Sequence, residues 1–388
     1  NTNIMKQPFT LIIALLFALH THAEHPVTFE VQLLAIDANE GIEVADYDKD
    51  GKLDISAGRF LYLNPGKDGQ WIPRPLRILE DRGGYTFSNG EHAHDVDGDG
   101  WLDIVSNGFW VGEVHWYKNP GKKGLERGAL WKQNLLIQTN QKTNELCHFL
   151  DIDGKPDGKP EYFANQWGKG NPSIIWHQDV SGEYVGHTIG PKSGHGIGFG
   201  DLNNDGRDDV VFGGGWYERP EGDPYTKDWT YHAQWNLSMS CPMLVRDVNG
   251  DGKNDLVWAK GHDYGIYAWI SKGVDEDGKF LYEEVKIDDS FSQSHALHFA
   301  DLDGDGKDEL ISGKRVYGHN GKDPGADDTP VIMYYTWDDE FKNIGKHIVA
   351  KGVGIGLHIR TADLDNDGDI DIVVPGKDGT QIVWNKRK

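Results

Sequence analysis

The sequence predicts an all-β fold, a seven-bladed β-propeller of four-stranded blades. Three observations predict it. An acidic pattern, Asp-x-Asp-x-Asp-Gly-x-x-Asp followed by apolar β-formers, begins at Asp46, Asp95, Asp151, Asp201, Asp247, Asp301 and Asp363. Its spacing, roughly 45 to 60 residues, is that of a supersecondary unit repeated around an axis or along a solenoid. The stretches between copies hold four strand-like segments each, and the two ends of the chain complement one another.

The order of elements is steady. A short apolar strand follows each acidic loop, as in Ile104-Val105 and Val210-Val211-Phe212. A second strand carries aromatic residues, as in Val114-His115-Trp116-Tyr117 and Ile174-Ile175-Trp176. A turn comes next, twice Asn-Pro-Gly (Asn64-Pro65-Gly66, Asn119-Pro120-Gly121). A third strand starts near Trp71, Trp131, Tyr184, Trp229, Phe280 and Phe341, and the strand entering the next acidic loop is the fourth. The last repeat stops after its third strand, Gln381-Ile382-Val383-Trp384. The orphan segment Thr28-Phe29-Glu30-Val31-Gln32-Leu33 supplies the missing one. Pairing them closes a ring and leaves no long edge exposed. A solenoid would show polar capping repeats, and none is present.

Each acidic loop has the oxygen set of a Ca²⁺ site. The expected ligands are Asp46, Asp48, Asp50 and Asp54 in the first loop and Asp95, Asp97, Asp99 and Asp103 in the second. The fourth and fifth loops offer Asp201, Asn203, Asp205, Asp209 and Asp247, Asn249, Asp251, Asp255. The sixth and seventh offer Asp301, Asp303, Asp305, Glu309 and Asp363, Asp365, Asp367, Asp371. Gly at position six permits the sharp turn. Position twelve holds Ala57, Ser106, Phe212, Trp258, Ser312 and Val374, so no bidentate Glu closes the loop as in an EF-hand. The third copy departs, with Lys155-Pro156 inserted and Glu161 at its end, and a metal is not assigned to it.

The formal charge of −23 argues against a nucleic-acid partner. Much of it lies in the loops: the six matching copies hold 22 carboxylates at ligand positions. Filling them with Ca²⁺ would bring the net charge to about −11. Residues 5–23 have a basic start, an apolar run and a small-residue end, the pattern of a secretory signal too short to span a bilayer. The expected organisation is therefore a signal at 1–23, with a mis-called start at 1–4, and a single propeller domain at 24–388. The expected location is periplasmic or extracellular, with no membrane insertion. A closed ring needs no second subunit, so a monomer is expected. Cys147 and Cys241 are expected to be free and buried.

The acidic loops, each followed by an apolar strand and then Gly-Gly or Ser-Gly (Val211-Phe212-Gly213-Gly214, Ile311-Ser312-Gly313), resemble FG-GAP/VCBS-type repeats. That likeness implies the propeller and leaves function open, since such repeats occur in integrin-type heads, adhesins, lectins and polysaccharide lyases. A narrower likeness is to the propeller of aldos-2-ulose dehydratase. It rests on Ser294-His295-Ala296-Leu297-His298-Phe299-Ala300-Asp301, Val114-His115-Trp116-Tyr117-Lys118-Asn119-Pro120-Gly121 and Gly222-Asp223-Pro224-Tyr225. It implies β-elimination on a sugar, without the isomerase step of the cupin domains that this chain lacks.

In a propeller the acidic loops share one rim, and the segments entering the innermost strands gather at the axis. Those segments are rich in His. Three places before the first Asp of each copy stand Glu43, His92, His148, Gly198, Leu244, His298 and Arg360. Ionisable groups there need partners or a ligand. Three imidazoles with an open position would suit an additional divalent metal such as Zn²⁺ or Mn²⁺ in the channel. Without a metal, β-elimination needs a base, an acid and a cation for the enolate-like charge. His195, His298, His262 and Tyr264 are the proton-transfer candidates, with His92 and His148 beside them. Arg360, Lys260 and Arg315 are candidates for the anion. Trp110, Trp167 and Tyr317 fall in rim loops as sugar contacts, and the segment 313–330 is long enough to act as a lid or as surface decoration. The leading expectation is a secreted lyase or dehydratase acting on an oxidised or acidic sugar. The alternative is a non-catalytic propeller that binds polysaccharide or a cell-surface partner.

Overall fold

Asp54 shows why each repeat turns where it does. Its carboxylate is buried and accepts the backbone N–H of Tyr47 at 2.9 Å and that of Asn64 at 2.8 Å. One side chain therefore ties the start of the acidic loop to the end of the third strand. Asp103, Asp209, Asp255 and Asp371 repeat this latch on Val96 and Asn119, Leu202 and Arg219, Val248 and Ser271, and Leu364 and Asn385. The position-six glycines, from Gly51 to Gly368, all have φ between 84° and 91°, a region closed to most side chains.

This is a computed structural model, and it describes residues 27–387 apart from 68, 156, 157, 169, 238 and 239. The signal expected at 1–23 lies outside the described residues. Seven antiparallel four-stranded sheets are present, as expected. Their innermost strands are Ile42–Ala45, Gly90–His94, Asn144–Leu150, Ile197–Gly200, Ser240–Arg246, Ser294–Ala300 and Arg360–Ala362. Each is followed through its acidic loop by the second strand of the same blade. In the closing blade Phe29–Ala35 pairs with Thr380–Asn385, Val31 opposite Val383. The ring is sealed by the two ends of the chain.

Among the described residues three elements lie outside the four-strand pattern: a helix at Gly121–Arg127, a small hairpin of Asp81–Arg82 with Tyr85–Thr86, and a 3-10 turn at Gly318–Asn320.

The core lies mainly between blades. Ile42, Ile55 and Tyr62 of the first blade pack against Val373 and Ile382 of the last. Trp216, Trp269, Tyr62 and Tyr162 are fully buried there, so much of the aromatic content serves packing. Cys147 and Cys241 are free and buried.

Polar staples join the blades as well. The side-chain amide of Asn64 donates to Leu364 O at 2.9 Å, Asn119 to Tyr47 O at 3.0 Å and Asn385 to Leu302 O at 2.8 Å. Trp337 Nε1 reaches Val248 O at 2.7 Å and Arg219 Nη1 reaches Ile152 O at 3.1 Å. In all five the acceptor is the second residue of the preceding blade's acidic loop. The Asn of the Asn-Pro-Gly turns is thus an interblade donor besides a turn former.

Candidate functional site

An unbroken strand alternates its faces, so residues three and six places before the first Asp would point opposite ways. Three innermost strands break that alternation. Their registers shift between Asn144 and Cys147, between Ser240 and Met243, and between Ser294 and Leu297. In these three the bulged residues restore the phase, so the sixth position back is turned inward too. That position holds Glu40, Asn89, Glu145, His195, Cys241, His295 and Leu357.

Glu145, His195 and His295 from this ring meet His262 from the loop after the fifth blade's second strand. One potential ligand atom from each of the four lies within 4.8 Å of the others, and all four residues are buried. His195 Nε2 is 2.9 Å from Glu145 Oε2 and 3.2 Å from His262 Nε2; His295 Nε2 is 3.7 Å from Glu145 Oε1.

The other ring nitrogens are committed elsewhere. His195 Nδ1 donates to Ser240 O at 2.6 Å and His295 Nδ1 to Gln293 O at 3.2 Å. His262 Nδ1 donates to Asp323 Oδ2 at 2.8 Å. Carbonyl and carboxylate oxygens only accept, so each Nδ1 carries a proton and Nε2 is the ring atom turned toward the centre. Protein-held metal ions are supported in this way. His295 Nε2 is buried with no hydrogen-bond partner, an orphan that a cation would satisfy.

Electrostatics agree. Burial opposes charge on His195, but the adjacent Glu145 carboxylate raises its pKa. Burial, then Arg315, holds His295 well below the ordinary imidazole value, and burial lowers His262. Burial alone would raise Glu145; His195, Arg315 and His295 together hold it well below the carboxylate range. Ligands of a tetrahedral Zn²⁺ at about 2.0–2.1 Å lie about 3.3 Å apart, close to the Nε2 separation seen here. The residues therefore fit a Zn²⁺- or Mn²⁺-like ion.

Above the cluster opens a pocket of about 520 Å³ whose lining includes Glu145, Arg315, Tyr85, Phe109, Trp110 and Trp167. Trp167 Nε1 donates to Glu145 Oε2 at 3.0 Å, and Trp110 is 38% exposed. The segment 313–330 contributes His319, Asn320 and Lys322 to the wall.

The sequence-derived set is divided. His195 and His262 join the cluster. His92, His148 and Arg360 form another group with His358: the His92 and His358 rings are 5.8 Å apart, and Arg360 is paired bidentately with Glu43 at 2.8 and 3.1 Å. Burial, with Arg360 close by, depresses His92 and His148 to about 3. His298 donates to or accepts from Thr361 Oγ1 at 2.9 Å. Among the described residues the two groups share no hydrogen bond, ion pair or ring contact. Tyr264 donates to Asp328 at 2.5 Å, and Lys260 lies 3.7 Å from Asp263; neither lines the pocket. Tyr317 is exposed on a neighbouring pocket beside Lys377. Arg315 is buried, bonded to Glu145 and Glu40. Glu145 and Asp323 were missed by the count of three; the same count at six finds Glu145 and His295, whereas Asp323 carries no periodic signal.

In the acidic loops Asp46, Asp48 and Asp50, and Asp95, Asp97 and Asp99, each offer an oxygen within 4.8 Å of one another. In the third loop Glu161 takes the latch position, accepting from Ile152 N at 2.7 Å, and gathers with Asp151 and Asp153. Residues 156 and 157 of that loop lie outside the described residues.

Residues 247–312 match the model of the FG-GAP-like repeat. No curated protein matches the chain in sequence. Among solved structures it is similar to an Agrocybe aegerita lectin specific for non-reducing terminal N-acetylglucosamine, at 18% identity and TM-score 0.46, covering 91% of this chain and 86% of that one. It is also similar to BBS1N in complex with ARL6DN, at 10% identity and TM-score 0.50 over 92% and 96% of the two chains. An auxiliary nutrient binding protein from Bacteroides ovatus aligns at 9% identity and TM-score 0.44, over 93% and 78%. These likenesses concern the fold. The chain is a seven-bladed β-propeller that carries an FG-GAP-like repeat.

Proposed function

We propose that the protein is a secreted carbohydrate-active lyase or dehydratase, acting by β-elimination on an oxidised or acidic sugar in the pocket above Glu145, His195, His262 and His295. One observation carries this reading: three imidazoles gather on the Glu145 carboxylate, which itself lines an aromatic-walled pocket. Structural Ca²⁺ in the acidic loops and a monomeric ring complete the proposal.

The four side chains would hold a divalent ion, which when bound supplies Lewis acidity toward a sugar carbonyl or carboxylate. The chain's own residues do the rest. Tyr85, Trp110 and Trp167 offer flat apolar faces for a sugar ring. Arg315 places positive charge beside the floor, and Lys322 does so at the wall. His319, tied through Nδ1 to Asp323 at 2.8 Å and half exposed on the same wall, is placed to move a proton at the substrate.

The test incubates the metal-loaded protein with uronic-acid polysaccharides and with ketosugars and follows absorbance from a new conjugated double bond. The expected result is a signal in the wild type that Glu145→Gln abolishes. Tight sugar binding with no new chromophore across the panel would instead establish the non-catalytic binding propeller, which the aromatic wall would serve equally well.

A further inference from the structure

Asp323 lies in the loop that supplies part of the pocket wall, outside every repeat, yet its carboxylate, with the side chain only 9% exposed, is shared by three donors. Oδ2 accepts from His262 Nδ1 at 2.8 Å and from Gln293 Nε2 at 3.3 Å; Oδ1 accepts from His319 Nδ1 at 2.8 Å. The rings of His262 and His319 stack at 4.0 Å with 13° between their planes. One imidazole therefore points its Nε2 into the cluster, and the other forms part of the pocket wall. A single carboxylate holds both.

The loop has reason to need that hold. Tyr317, His319 and Asn320 have φ of 61°, 46° and 53°, a left-handed region that costs non-glycine residues energy. Such strain persists only where surrounding contacts over-determine it. Here those contacts include the Asp323 bonds, the His262 stack and Lys377 Nζ on Tyr317 O at 3.0 Å.

We propose that Asp323 is the positioning residue of the cluster, through which an ion bound at His262 sets the wall of the substrate pocket. This rests on the metal reading above. A cation at Nε2 draws electron density from the ring and strengthens the Nδ1–H bond to Asp323. The fixed carboxylate then fixes His319 and the strained turn around it. Linkage requires the reverse: whatever orders the loop tightens the metal.

The experiment uses the full chain, stripped of transition metals but kept in millimolar Ca²⁺. Zn²⁺ alone is titrated by calorimetry, and hydrogen exchange is followed at residues 315–328. Zn²⁺ should slow exchange there in the wild type. Asp323→Asn should bind Zn²⁺ about 10–100-fold more weakly, and its loop should stay unprotected even at saturation. His319→Ala removes no ligand but loosens the loop, so it should weaken Zn²⁺ binding by less than Asp323→Asn does. Equal affinity in Asp323→Asn and wild type would overturn the positioning role while leaving the metal site standing. So would unchanged exchange on loading the wild type, a comparison that needs no variant to fold. A wild type that binds no Zn²⁺ would overturn both.

Discussion

Arg315 donates to Glu145 Oε1 at 2.9 Å, while its Nε and Nη2 hold both oxygens of Glu40 at 3.1 and 3.0 Å. Glu40 precedes the first blade and Glu145 lies in the third, so one buried guanidinium from the sixth ties distant sectors of the ring together. It also neutralises two carboxylates that would otherwise crowd the floor of the pocket. Arg has the planar fork for three such bonds; Lys does not.

Arg315→Met should therefore destabilise the fold by about 3–5 kcal/mol, because it strands two buried carboxylates. Arg315→Lys should recover only part of the loss. Urea unfolding at neutral pH measures both, and a loss below about 1 kcal/mol would mean that water reaches Glu40 and Glu145.

The interblade staples make a second prediction. Asn119 donates to Tyr47 O at 3.0 Å and to Leu102 O at 2.9 Å and accepts from Gly121 N at 2.9 Å. Asn119→Ala should cost about 1–3 kcal/mol by leaving buried backbone groups unpaired. Asn119→Asp should cost more, since it turns a carboxylate toward two carbonyl oxygens. A turn-forming role alone would leave Asp as well tolerated as Asn.

Calcium and pH should be coupled. Burial raises the latch carboxyls, Asp54 and Asp371 to about 7 and Asp209 and Glu309 to about 8. Without metal the folded state holds these protons more tightly than the unfolded chain does. Stability then falls as pH rises from about 4 through 8. A bound cation favours the ionised form and removes that slope. Thermal melts of the calcium-free protein should drop between pH 5 and 8, and millimolar Ca²⁺ should flatten the trend. Identical slopes with and without Ca²⁺ would count against cation binding at the loops.

Ring closure gives a fourth. Removing residues 28–35 exposes the edge of Thr380–Asn385 and deletes the six-residue register that joins the ends. The truncated chain should aggregate or melt well below the full one. An unchanged melting temperature would show that the remaining blades hold the ring without it.

The fold was legible because its signals are local and repeated: Asp46 and its counterparts mark each turn, and Thr28–Leu33 matched the gap left after Trp384. The hairpin at Asp81–Arg82 and the helix at Gly121–Arg127 were not, since each occurs once. The site was half legible. His195 and His262 stood out as ionisable groups bound for the axis, whereas Glu145 was hidden by the bulge between Asn144 and Cys147. That bulge moves the inward-facing set from one strand phase to the other. Asp323 reaches the site from a non-repeating loop, a placement that only tertiary structure reveals.

The central claim is that Glu145, His195, His262 and His295 form a metal centre. Crystals grown with Zn²⁺ and millimolar Ca²⁺, with diffraction recorded on both sides of the zinc absorption edge, test it directly. The account predicts an anomalous peak about 2.0–2.1 Å from the three Nε2 atoms, with Glu145 completing the shell. Zinc signal confined to the acidic loops, with none between these four side chains, would contradict it.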